Sequence, residues 1–235
     1  MADAAPASSD EMQEVLMSIS SILKDSADSD LQEIMQLLKE FGCASRRNDV
    51  SEIYSPPRVI AMAARMGLRP GFALDLTVID PDDGLPWDFD NPKKRAKAMA
   101  KVREEEPTLL IGSPMCRAFS NLQTMNFGRM DRAKVQELLA HGIMHLRFCI
   151  SLYREQMRGG RYFLHEHPDF AKSWGLAEMV QLLQRPDVIR TSGDMCAHGM
   201  KATDAAGEGL VLKPTGWATN SPYIAAEVSA RCSSR

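Results

Sequence analysis

From Val135 to Met157 the apolar residues Val135, Leu138, Leu139, Ile143, Leu146, Ile150, Tyr153 and Met157 return at the period of a helix, and Gly159-Gly160 ends the run. The spacing predicts one long helix over 133–158. Shorter runs of the same period predict helices over 59–66, 92–105 and 177–183. Between them the texture changes. Segments 52–54, 71–76, 108–112, 162–165, 188–191 and 209–212 are brief, apolar and bounded by turn formers, as strands are. Alternation of strand and helix predicts parallel strands joined by crossover helices. The expected class is therefore α/β, with a doubly wound, mostly parallel sheet of the Rossmann-like kind.

The first fifty residues follow another pattern. Residues 1–9 are small and polar and are expected to be disordered. Met12, Val15, Leu16 and Ile19 predict a helix over 10–24, and Leu31, Ile34, Leu37 and Leu38 a second over 30–41. Capping residues at 26–30 separate the two, and Gly42 suits a helix stop. This hairpin and its linker to residue 50 form an expected accessory element that mediates self-association. The α/β domain then takes 51–235.

In a doubly wound sheet, ligands bind outside the carboxyl ends of the strands. The strand ending at Ile111 is followed by Gly112-Ser113-Pro114-Met115-Cys116-Arg117-Ala118-Phe119-Ser120, and the one ending at Leu164 by His165-Glu166-His167-Pro168. A helix crossover between these strands brings Cys116 and Glu166 to one rim, where a thiol and a carboxyl make a catalytic pair.

Composition narrows the setting. The five cysteines (Cys43, Cys116, Cys149, Cys196, Cys232) are odd in number, widely spaced and without a Cys-x-x-Cys pair, which predicts free thiols and an intracellular protein of nucleus or cytoplasm. No signal-like start and no stretch near the ~20 apolar residues of a span predict no membrane association. A net charge of −3 argues against a broadly basic surface but leaves room for a local basic groove. All histidines lie between His141 and His198, with His165, His167 and Cys196 near the latter. His141 and His145 are four apart, yet no Glu follows His141 to make His-Glu-x-x-His, so no metal is expected. Lys93, Lys97 and Lys101 predict a solvated helix stripe, and Arg154, Arg158 and Arg161 partners for helix-end carbonyls.

The cysteine loop, Gly112-Ser113-Pro114-Met115-Cys116-Arg117-Ala118-Phe119-Ser120, is similar to the Gly-Pro-Pro-Cys-x-x-Phe-Ser signature of cytosine 5-methyltransferases, with Met115 in place of one proline. Phe163-Leu164-His165-Glu166-His167-Pro168 resembles the Glu-Asn-Val element of that family. Asp75 and Asp88 resemble its two acidic cofactor positions. Asp194-Met195-Cys196-Ala197-His198-Gly199 with Lys213-Pro214 resembles the segment that carries Gln-x-Arg-x-Arg, with Lys213 the nearest cation. Where the family has a glycine-rich first loop, this chain reads Tyr54-Ser55-Pro56-Pro57, so contact to a cofactor there must differ. The chain also resembles open reading frames associated with retrotransposon polyproteins of dinoflagellates, which share Tyr54-Ser55-Pro56-Pro57-Arg58-Val59, the cysteine loop, His165-Glu166-His167-Pro168 and Lys213-Pro214-Thr215-Gly216.

These resemblances imply S-adenosylmethionine (AdoMet) as cofactor and nucleic acid as substrate, DNA in preference to RNA, with a domain truncated at its C-terminus. Cys116 is implied as the nucleophile that adds to cytosine carbon 6, and Glu166 as its partner at the ring nitrogen and amino group. Arg117 beside the thiol and Lys213 would supply positive charge. Tyr54, Ser55, Asp75, Asp88, Gly112 and Pro114 are the implied cofactor contacts. A flipped-out base is required, because one stacked in a duplex cannot reach such a thiol. Two other readings stand beside this one: a non-catalytic, retroelement-derived binding module, and a cysteine- or metal-dependent hydrolase that pairs Cys116 with a histidine.

Overall fold

On strands β3 (Leu109–Gly112) and β4 (Tyr162–Pro168), successive side chains enter different layers of the protein. Leu110 and Phe163 join a large cluster with Ala98, Val102, Leu146 and Tyr153, whereas Ile111 and Leu164, one residue on, pack with Val50, Ala63, Trp217 and Ile224. The sheet is thus covered on both faces, which is why β3 and the first three residues of β4 read as continuous apolar runs. The computed structural model describes residues 48–205 and 207–232. The expected tail (1–9) and helices (10–24 and 30–41) lie outside the described residues.

The described residues form a mixed α/β fold around a mostly parallel six-stranded sheet of order β2-β1-β3-β4-β8-β5. Here β1 is Val50–Ile53, β2 Pro70–Leu74, β5 Ile189–Asp194 and β8 Pro214–Thr219. Strand β1 pairs in parallel with β2 and β3, and β3 with β4. Only β8 is antiparallel, lying between β4 and β5. From β1 the chain steps outward to β2 through α1 (Val59–Arg65), then returns past β1 to β3 through α2 (Pro92–Glu105). The winding reverses between β1 and β3, and that gap is the topological switch point.

The expectations for 209–212 and for Arg161 need correction. The strand expected at 209–212 is not part of the sheet: β7 (Gly207–Leu210) pairs with β6 (Lys201–Asp204) in a separate exposed ribbon. Its place is taken by β8, whose Pro214-Thr215-Gly216-Trp217-Ala218-Thr219 carries no apolar alternation. Pairing on both sides makes it a strand, in defiance of weak local preference. Arg161, expected at helix-end carbonyls, is instead buried and bonds the side chains of Gln156 (3.0 Å) and Glu106 (2.8 Å).

After a short helix, α3 (Asn121–Phe127), comes the longest, α4 (Arg132–Arg158), capped by Asp131, which accepts from the amides of Ala133 and Lys134. Down its buried face run His145, Cys149, Tyr153 and Gln156. Gln156 Nε2 donates to the carbonyls of Pro107 (2.8 Å) and Tyr162 (2.9 Å), where β3 and β4 begin. Tyr153 Oη donates to Gly112 O (3.2 Å), where β3 ends. Helices α5 (Ala177–Leu183) and α6 (Pro222–Glu227) complete the layers, and no helix among the described residues is long and apolar enough to cross a membrane.

The lysine stripe of α2 is not simply solvated. Lys94 is buried and bonds Asp80 (2.6 Å) and Asp83 (2.7 Å), and Lys97 reaches both oxygens of Asp80. Burial alone would raise the Asp80 carboxyl, but the two lysines outweigh it and hold it at about 2. This cluster fastens the segment after β2 onto α2.

Gly112 is a position of close approach. A Cβ there would lie 2.1 Å from Tyr153 Oη and 2.9 Å from Cys149 Sγ. Gly112→Ala is expected to cost about 1–3 kcal/mol in urea unfolding, the usual penalty of overpacking. An unchanged midpoint would mean that Tyr153 gives way freely.

Candidate active site

At the switch point a cleft of about 170 Å³ is lined by Tyr54, Asp75, Trp87, Asp88, Ser113 and His145, among others. Tyr54 leaves β1 at φ 59°, the left-handed region, which costs a non-glycine residue about 1–3 kcal/mol. Two contacts hold it there. Its hydroxyl shares a hydrogen bond of 2.8 Å with His145 Nδ1, and its ring lies 4.7 Å from that of Phe89. A tyrosine therefore holds the left-handed turn that follows β1. Burial pushes its hydroxyl far above the usual tyrosine range, so the proton stays on.

Asp75 follows β2 directly. Its Oδ1 accepts from Thr77 N (3.0 Å) and Thr77 Oγ1 (2.8 Å), which orients the carboxylate at the edge of the cleft. Asp88 is set in the same way, Oδ1 accepting from Asp90 N at 2.9 Å. Of the expected cofactor contacts, Tyr54, Asp75 and Asp88 line the cleft. The other three lie beside it: Ser55 Oγ donates to Pro56 O (3.0 Å), Gly112 faces Tyr153, and Pro114 is buried.

Pro114 has a different partner. His167, on β4, meets its carbonyl through Nε2 (2.9 Å) and Ser173 Oγ through Nδ1 (2.6 Å). A carbonyl only accepts, so Nε2 carries the proton and Nδ1 accepts from the serine. Burial holds this ring below the usual histidine range, in the neutral form that this pattern needs. His167 thus pins the cysteine loop to β4.

One residue earlier, strand alternation turns Glu166 to the opposite face, where Lys213 Nζ lies 3.3 Å from its Oε1. Cys116 is half-buried beside this pair. Burial, and then the Glu166 carboxylate, push its thiol above the ordinary range, while Lys213 acts in the other sense. Cys116, Glu166 and Lys213 therefore form one cluster, as the sequence implies. Arg117 does not join it. Its exposed side chain lines a separate opening with Asp90, Gln123 and His141.

The histidines do not gather as one set. His165 is fully buried, with Nδ1 bonded to Tyr153 Oη (2.9 Å), and Cys196 has Cys232 as its closest electrostatic neighbour. Among the described residues no histidine is hydrogen-bonded to Cys116. Sequence reasoning missed Trp87, Phe89 and Asp90 as parts of the cleft, and His167 as the anchor of the loop. For His167 the signal was present, because residues flanking Glu166 on a strand must share the face that Glu166 does not.

The loop 113–116 joins the two halves of the site, since Ser113 and Met115 line the cleft and Cys116 closes the other side. No protein-family model matches the chain, and no curated protein matches it.

Because Glu166 raises the Cys116 thiol, Glu166→Gln is expected to lower it again and so increase the thiolate present at a given pH. Alkylation of Cys116 by iodoacetamide at pH 8, followed by peptide mass spectrometry, should run about two- to tenfold faster in that variant, up to tenfold for each pH unit the thiol falls. Equal rates would mean that burial alone governs the thiol.

Proposed function

We propose that this site performs AdoMet-dependent methyl transfer to carbon 5 of cytosine in nucleic acid, DNA in preference to RNA. The observation that carries the reading is the convergence of a thiol–carboxylate–lysine cluster and a carboxylate-lined cleft on the two sides of one four-residue loop at the switch point. The strand order supports it by analogy, since one antiparallel strand between the last two parallel ones is similar to the sheet of methyltransferase-type domains.

The cleft has the donor chemistry for AdoMet. Asp75 and Asp88 both line it and keep one carboxylate oxygen out of their turn hydrogen bonds, acceptors suited to ribose hydroxyls and to an adenine amino group respectively. Its volume, about 170 Å³, is below the ~300–1,000 Å³ of enclosing ligand pockets, so it would cradle one part of the cofactor and leave the rest at the surface. AdoMet when bound would supply the methyl group. Cys116 Sγ, as the thiolate, adds to carbon 6 of a flipped-out cytosine, which makes carbon 5 nucleophilic; once carbon 5 carries the methyl group its proton leaves to solvent and the Cys116–carbon 6 bond breaks, restoring the ring and the thiolate. Glu166 accepts from the base's amino group through one oxygen and, taking up a proton from solvent, donates through the other to the ring nitrogen on which the displaced charge collects. His167 acts as a positioning residue, keeping the loop from drifting away from β4.

A second reading, a non-catalytic binding module, is favoured by two observations: the thiol rests in its protonated form, and the Tyr54–Pro57 turn lacks glycine and offers few amides. Calorimetric titration of the chain with AdoMet and S-adenosylhomocysteine separates the two. Saturable binding is expected, weakened about 10- to 100-fold in Asp75→Ala, as loss of a hydrogen-bonded charge implies. Cys116→Ala should keep that binding and lose methyl transfer to a cytosine-containing oligonucleotide. No binding by the folded chain would leave the second reading standing.

A further inference from the structure

The cleft and the opening beside Arg117 meet where Asp90, His141 and His145 come together. The two histidines lie one turn apart on α4, and Asp90 directly precedes Asn91, the cap of α2. His145 Nε2 is 3.0 Å from Asp90 Oδ1 and 3.1 Å from His141 Nε2, and His141 Nε2 touches the same Asp90 oxygen. Two imidazole nitrogens and one carboxylate oxygen thus point at a common centre. A zinc-class ion about 2.1 Å from each in tetrahedral geometry needs the three atoms about 3.4 Å apart, so they already stand close to ligating positions and each would move outward slightly to admit it.

Hydrogen bonding alone satisfies this arrangement poorly. An ionised carboxylate only accepts, so each Nε2 must carry a proton to bond it. Two N–H groups would then crowd one oxygen with their nitrogens 3.1 Å apart. A single cation in place of the two protons takes one lone pair from each nitrogen and one from the shared oxygen, and removes the crowding.

We propose that Asp90, His141 and His145 bind one divalent transition-metal ion of the zinc class. The surroundings have the form of such a centre. His145 Nδ1 faces Tyr54 Oη at 2.8 Å, so with a metal on Nε2 the Nδ1 proton donates to that oxygen, the outer bond that orients a ligating histidine. The Asp90 backbone is tied down at both ends, its amide to Asp88 Oδ1 (2.9 Å) and its carbonyl to Arg95 Nη1 (3.1 Å). His141 and His145 stand edge to face, their ring centroids 4.5 Å apart.

Burial defines the type of site. The His145 side chain is 3% exposed, whereas those of His141 and Asp90 are 36% and 54% exposed. The ion is anchored from within and open on its outer side, where water completes its shell, as in sites with three protein ligands and a free position. The sequence pattern argued against a metal because no Glu follows His141. The carboxylate comes instead from 51 residues earlier in the chain.

The test is titration of the full chain, first stripped with a chelator, with Zn²⁺ by calorimetry and with Co²⁺ by visible absorption. One equivalent is expected, with cobalt ligand-field bands and no thiolate charge-transfer band, which sets this centre apart from binding at the mutually adjacent thiols Cys196 and Cys232. His141→Ala, at a partly exposed position, should fold as the parent does by circular dichroism and bind at least ~10-fold more weakly, since even loss of an outer-shell partner costs that much. Asp90→Asn should do likewise, and His198→Ala should bind as the parent does. No saturable binding, or unchanged binding in His141→Ala, overturns the proposal. Because the metal is titrated without AdoMet, either result is independent of the methyl-transfer reading.

Discussion

The polar stripe of α4 is the constraint on which the rest of the molecule depends. His145, Cys149, Tyr153 and Gln156, spaced four, four and three residues apart, lie on the helix face turned to the core. A buried donor or acceptor left unpaired costs about 1–3 kcal/mol, so each must find a partner, and while Cys149 meets Tyr153 on the same helix the other three reach the strands or their ends. Gln156 takes the carbonyls where β3 and β4 begin, Tyr153 the carbonyl where β3 ends, and His145 the hydroxyl of the residue after β1. One rigid helix therefore measures the central strands from entry to exit. Both loops that build the site leave the sheet at points where this helix holds them.

A second restraint sets the outer wall. Asp80 lies beneath Lys94 and Lys97, and buried ion pairs of this kind contribute little net stability against well-packed apolar side chains. Their effect is on position. The segment from Asp75 to Asp90 contains little regular structure, and without the lysines its path over the sheet would be weakly specified. With them, Asp88 and Asp90 stand at the mouth of the cleft at fixed height. Trp87 strengthens the arrangement, because Lys94 and Lys97 also sit over its ring, 5.0 and 5.2 Å from the centroid.

How far the sequence could be read follows from these restraints. Helix periods are local, and α2 and α5 run over the residues that their spacing predicts, with α4 differing by one. The parallel strands were legible because burial on both faces writes an apolar run. Strand β8 was not, since Thr215, Ala218 and Thr219 are buried by their neighbours on both sides and by no pattern of their own. In the site, Cys116 could be placed from the end of β3, and Asp75 and Asp88, which line the cleft, from the resemblance, whereas Glu166, expected just past a strand ending at Leu164, lies within β4, which runs on to Pro168. The side to which Arg117 points could not, because it depends on the turn at 117–119, where Ala118 and Phe119 are drawn into the core and the arginine is left outside. Asp90 with His141 and His145 was equally hidden, a contact between a loop and a helix that no spacing rule connects.

The resting state of Cys116 bears on how such a site would work. In the empty site burial, and then the Glu166 carboxylate, hold the thiol protonated, the wrong form for attack, while Lys213, bonded to that carboxylate, acts in the other sense. On the proposed reading, a bound cytosine changes both terms. Its amino group donates to Glu166 and offsets part of the negative charge, and Lys213, less strongly claimed by the carboxylate, is freer to favour the thiolate. The group that suppresses the nucleophile in the empty site would then release it when the right base arrives. A base without a donor at that position leaves Glu166 uncompensated and the thiol protonated, so discrimination is built into the ionisation of the nucleophile as well as into the fit of the ring.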